Sequence, residues 1–224
     1  MKKPNLMSSR REFIGTLAAG ATGILATSGS LVAAPLHPTV PVNDADDWMS
    51  KIKGKHRILY DATEPHDGFP IIWSWVFYKT NNQTGTLDAD LTAVVVLRHN
   101  AIPLAMEDRL WEKYKFGETF KVNDSTTSAP AVRNPYYIPK DQMWLTNGIE
   151  GIKALQARGV MFCVCEMAIA VYSGMIAKGM NLNAEDVKKD WFSGLLPGIQ
   201  PVPSGVWAIS RAQEKGCAYC YAGG

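Results

Sequence analysis

The chain has 224 residues, 46% of them apolar, with 23 lysines and arginines against 21 aspartates and glutamates. That is enough chain for one solid core and short for two, and a net charge of +2 with no basic stripe argues against nucleic-acid binding. Four cysteines are too few for a disulfide-built scaffold, so each is read by its position.

The first segment reads as an address. Arg10 and Arg11 follow a basic, polar start and precede a Gly/Ala/Thr/Leu run over residues 15–34. Gly15, Gly20, Gly23, Ser28, Gly29 and Ser30 make that run too polar for a good spanning helix, which matches a twin-arginine export signal rather than a membrane anchor. Residues 1–34 are therefore expected to be a signal handed to the twin-arginine translocase, with the periplasm or its equivalent as the working compartment. Small residues at Val32, Ala33 and Ala34 suit cleavage but Pro35 follows at once, so an uncleaved, membrane-tethered form is a second expectation. Residues 35–54, with Pro35, Pro38, Pro41 and the Asp44, Asp46 and Asp47 cluster, read as a linker carrying a short polar helix near Trp48.

The folded domain is expected over residues 55–224. Residues 57–61 read as a first strand, and the following Glu64, His66 and Asp67 as a solvated turn. Pro70 suits a helix start, and the apolar residues after it give a tryptophan-rich first helix, expected in the core or at a subunit contact. Residues 91–97, β-branched and uncharged, have the pattern of a central parallel strand, which runs directly into Arg98, His99 and Asn100. The pattern weakens over 110–141, where a long Ser/Thr/Asn/Pro-rich stretch suggests a flap or an oligomer contact. Residues 146–158 read as one amphipathic helix capped by Thr146 or Asn147 and ended by Gly159.

Residues 160–164 form an apolar strand that delivers Cys165 to the start of a helix over 166–178. Asn183 caps the next helix, residues 199–203 make a brief strand, Ser204 and Gly205 open a helix reaching Gly216, and 217–221 form the last strand, with Tyr219 and Tyr221 expected in the core or at a contact. Strands and helices thus alternate. The expected fold is α/β, a single domain with a mostly parallel five-stranded sheet and helices on both faces.

Cys165 is the candidate nucleophile. A thiol at the carboxyl end of a strand and the amino end of a helix meets backbone N–H groups and the positive end of a helix dipole, both of which favour thiolate. Arg98, His99, Asn100 and Ser204 are the candidate supporting or substrate-binding residues on the same edge, whereas Glu166 would repel a thiolate. Cys163, in mid-strand, reads as a small buried hydrophobe. Rival readings use the other thiols. Cys163, Cys165, Cys217 and Cys220 total the four that a structural zinc or iron–sulfur site requires, although strand alternation points Cys217 and Cys220 to opposite faces. A disulfide from Cys163 or Cys165 to Cys220 requires neighbouring strands. A non-catalytic oligomeric binding module of the same fold is the third alternative.

Three segments carry a family resemblance: Leu97 to Pro103, Leu155 to Val160 leading into Cys165, and Val202 to Trp207 followed by Arg211 to Gly216. In this order they resemble the DsrE/DsrF-like family over roughly residues 56–222. The resemblance implies a small DsrEFH-like α/β fold assembled as trimers or hexamers, and a sulfur relay in which one cysteine carries a persulfide between a donor and an acceptor protein. Cys165 is the matching position. The export signal, Cys163 and the Cys217/Cys220 pair are departures from the pattern.

Overall fold

A computed structural model describes residues 42–223. Its centre is a five-stranded sheet in the order β6-β5-β2-β1-β7, formed by β1 (His56–Ala62), β2 (Leu91–Leu97), β5 (Met161–Cys165), β6 (Gln200–Val202) and β7 (Ala218–Tyr221), with every pairing parallel. All seven residues of β2 are buried, as a strand covered on both faces requires.

Alternation along the strands splits the core in two. Ala93, Val95, Leu97, Phe162 and Val164 face the larger cluster, built with α2 (Phe69–Gln83), α6 (Ile152–Arg158), α7 (Glu166–Met180) and α8 (Ala184–Ser193). Leu59, Val94, Val96, Cys163 and Val202 face a smaller cluster closed by α1 (Val42–Met49) and α9 (Gly205–Glu214). The expected parallel α/β sheet with helices on both faces is therefore present.

Several local expectations give way to packing. Helix α1 lies in the stretch read as a linker, yet Ala45, Trp48 and Met49 are buried in the smaller cluster, so tertiary packing begins before residue 55. The stretch 110–141 is not bare loop, and its residues from Glu118 to Val122, with Tyr136, line a cavity. The same stretch holds α3 (Asp108–Lys113), α4 (Phe116–Thr119) and a two-stranded ribbon of β3 (Asn123–Asp124) and β4 (Ala129–Pro130). Trp111, Phe116, Phe120 and Tyr136 bury themselves in the larger cluster. Asn134, 2% exposed, pins the segment: its Nδ2 donates to the Leu104 and Met106 carbonyls, and its Oδ1 accepts from the Tyr136 and Tyr137 N–H groups.

The single helix expected over 146–158 is two. Helix α5 (Gln142–Asn147) is capped by Asp141, whose side chain accepts from the Met143 and Trp144 N–H groups, and it ends at Gly148 with φ 63°. Helix α6 starts after Gly151, where a side chain would collide with the Tyr136 carbonyl and the Pro139 ring. Tyr219 and Tyr221 are not core residues either: they are 48% and 52% exposed on the edge strand β7.

Candidate functional site

The carboxyl edge of the sheet gathers most of the residues singled out in the sequence. Cys165 ends β5 and caps α7, its Sγ accepting from the Ala168 N–H at 3.3 Å. The N–H groups of Gly205 and Met167 also act on it and pull its pKa down, so the amino ends of α9 and α7 face one sulfur. Gly205 permits this approach because a Cβ there would lie 2.6 Å from Cβ and Cδ of Arg98. Ser204 fixes the same helix end by accepting from the Trp207 N–H at 3.2 Å; its hydroxyl therefore supports α9.

Arg98 is Cys165's neighbour by register. Leu97 pairs with Val164, so the residue after Leu97 stands beside the residue after Val164. The guanidinium turns onto Asp61, with Nε to Oδ1 at 2.6 Å and Nη2 to Oδ2 at 2.9 Å, and the Tyr219 hydroxyl donates to Oδ2 at 2.8 Å. Asp61 is 2% exposed.

The expected thiolate preference is corrected by burial. Cys165 is 7% exposed, and burial pushes its pKa up; the N–H groups of Ala168, Gly205 and Met167 and the charge of Arg98 pull the other way without cancelling it. Burial pushes the Glu166 pKa up, and the charge of Lys188 pulls it the other way.

His99 and Asn100 join a second cluster instead. Asn100 Nδ2 donates to both Glu64 carboxylate oxygens at 3.0 and 2.9 Å, and its Oδ1 accepts from the Tyr172 hydroxyl at 2.5 Å. His99 Nδ1 stands 3.4 Å from Glu64 Oε1, and its ring meets Tyr172 edge-on with centroids 5.8 Å apart. Burial pushes the Glu64 pKa up, but hydrogen bonds from His99 and Asn100 and the charges of His99 and Lys121 outweigh it and hold the group below the ordinary value. Glu64, Asn100 and Lys121 border a cavity of about 460 Å³, walled by Phe120, Tyr136 and Tyr172 and reached by His66 and Asp67. The turn read as solvated is thus one wall of a cavity, and Cys165 is not among its lining residues.

The remaining thiols do not meet Cys165. Cys163 is wholly buried under α9, Cys217 is buried in the same smaller cluster, and Cys220 on β7 packs against the larger one. Strands β1 and β2 stand between β5 and β7. Three strand spacings amount to about 14 Å, double the reach of a disulfide, so neither Cys163 nor Cys165 can bond Cys220. The four-thiol metal site fails on the same ground, and among the described residues no group of three or more His, Cys, Asp or Glu side chains could hold a metal ion.

Arg10, Arg11 and the run after them lie outside the described residues. Among those described, no helix is long and apolar enough to cross a membrane. Sequence reasoning missed Asp61, Glu64, Tyr172, Gly205 and Tyr219 as site residues. Asp61 carried the one usable signal, a carboxylate at the carboxyl end of a strand.

No protein-family model matches the chain, and no curated protein matches it. Among solved structures, a protein of unknown function, MTH1491 from Methanobacterium thermoautotrophicum, is similar at 15% identity, over 74% of this chain and 98% of that one, with a TM-score of 0.38.

Proposed function

We propose that this chain is a sulfur carrier of the DsrE/DsrF-like kind, exported by the twin-arginine route, that holds sulfane sulfur on Cys165. The observation that carries this reading is the convergence of N–H groups from two helix ends on Cys165 Sγ, with Arg98 alongside. The Cys165 thiolate attacks the outer sulfur of a donor; the Sγ–S bond forms as the donor's S–S bond breaks, and the donor leaves as a thiolate. An acceptor thiolate then attacks the outer sulfur and releases Cys165.

Burial argues for a charged product rather than a charged resting thiol. The outer sulfur of a persulfide sits about 2 Å beyond Sγ. There it leaves the buried position for a rim where Met167 and Val206 are 40% and 66% exposed, while the helix ends remain near. The resting thiol stays protonated and unreactive until a donor reaches it, which suits an oxidising compartment.

Intact mass of the protein, purified without reductant and then treated with a sulfane donor, tests this. The expected result is a gain of one sulfur that reductant removes and that Cys165→Ser lacks. A protein that gains no sulfur, or gains it equally as Cys165→Ser, refutes the carrier.

A further inference from the structure

The charge that Cys165 meets decides which donors reach it. Arg98 borders the thiol, but its guanidinium is committed fork-to-fork to Asp61, which is 2% exposed and bonded by the Tyr219 hydroxyl as well. A bidentate arginine–carboxylate pair has no net charge, so beyond the pair its field is that of a dipole. What remains for an anion at Cys165 is a pull from Arg98 that its pairing with Asp61 weakens, and the partial charge of two helix ends, about half an elementary charge each. Together the two ends balance about one negative charge.

We infer that Asp61, held by Tyr219, is a positioning residue that sets the charge of the Cys165 site to suit a single anion, so that the site accepts hydropersulfide donors and turns away dianionic thiosulfate. This rests on the carrier reading above. From a hydropersulfide R–S–SH, the thiolate of Cys165 takes the outer sulfur, the donor's S–S bond breaks, and R–S⁻ leaves and takes up the proton that Cys165 released; nothing is oxidised overall. Attack on thiosulfate would expel sulfite, with two charges brought into a site that offers compensation for one. The asymmetry is electrostatic rather than steric, so removing the Asp61 charge should lift it.

The test uses the reduced full chain with 2-hydroxyethyl hydropersulfide, which carries no other charged group, and thiosulfate as probes, comparing wild type with Asp61→Asn. A second readout is the ratio of Cys165 alkylation rates by iodoacetate, an anion, and iodoacetamide, its neutral analogue, followed by peptide mass mapping. Wild type should gain sulfur from the hydropersulfide alone. Asp61→Asn, which frees the Arg98 charge, should gain it from thiosulfate as well, with the iodoacetate ratio up about 10-fold. Should that variant not fold, Tyr219→Phe, which removes one bond to Asp61 from a half-exposed side chain, should raise the ratio in the same direction by about 2-fold.

Thiosulfate loading of wild type equal to hydropersulfide loading, or an alkylation ratio unmoved in both variants, overturns the inference and leaves the carrier intact. Failure of both donors on both proteins overturns the carrier and the donor assignment together.

Discussion

Around Cys165 the polar groups are backbone N–H groups and an arginine already paired with Asp61, and the residue is 7% exposed. Around Glu64 they are side chains, joined from Tyr172 through Asn100 to the carboxylate, beside a cavity of about 460 Å³. One cluster has a thiol and little room, and the other has room and no thiol. Both sit at the carboxyl edge of one parallel sheet, where α/β folds place their sites. The difference lies in what holds each in place. Groups positioned by helix ends follow the backbone and resist single side-chain changes, whereas a side-chain relay depends on every member.

Asn100→Ala should expose that dependence most strongly. It removes both hydrogen bonds to the Glu64 carboxylate and the acceptor of the Tyr172 hydroxyl, a buried residue's polar atom. Bonds to a charged group are worth about 1.5–3 kcal/mol, so stability from urea unfolding should fall by about 2–3 kcal/mol. A loss below about 1 kcal/mol would mean that water replaces the relay. The alkylation profile of Cys165 should not move in this variant, and a shift would show the two clusters to be coupled.

The thiol itself should give the next largest effect. Burial raises the pKa of Cys165 above the ordinary 9.0, so its alkylation by iodoacetamide should have a midpoint above that value. At pH 8 it should react more slowly in the folded chain than in urea, because less of the folded thiol is ionised. A midpoint below 9.0 would instead make the helix ends stronger than burial. The same direction sets the alkaline limb of stability. A thiol whose folded pKa is raised contributes stability present below the unfolded value and lost as pH rises through the folded one, and Cys163 and Cys217 are raised by burial as well.

Most of the sheet was legible because its signals are local. The β-branched run of β2 was read to the residue, and the caps at Asn183 and Ser204 and the stop at Gly159 follow from chemistry within three residues. Cys165 at a strand-to-helix junction was legible for the same reason. The misreadings are all tertiary. Gly148 splits a helix that the apolar period alone would run through, because the chain must turn to bring Gly151 under Tyr136. The stretch 110–141 looks irregular, yet Trp111, Phe116 and Phe120 hold it in the core. Asp61 and Arg98 lie 37 residues apart, and only the pairing of β1 with β2 brings them together. His99 and Asn100 were placed on the right edge but with the wrong partners, since a turn with φ 53° at His99 sends them toward Glu64.

The smallest effect belongs to Glu64 and separates it from the other carboxylates. Its pKa is held below the ordinary 4.5, so it contributes stability that is present above pH 4.5 and lost as pH falls through the lower folded value. Glu64→Gln should therefore flatten the acid limb below pH 4.5, by an amount that solvent keeps small because the side chain is 38% exposed. Added salt should shrink the difference further, since part of it is the attraction of His99 and Lys121. Asp190 supplies the contrast. Burial pushes it up, but Lys113, Tyr114 and Arg109 bond it and bring it down to about 2, so its share of the limb is lost at lower pH. A Glu64→Gln protein whose stability falls as steeply between pH 4.5 and 3 as wild type would assign that limb to other carboxylates, and would leave the Glu64 relay held by hydrogen bonds whose strength does not depend on the charge.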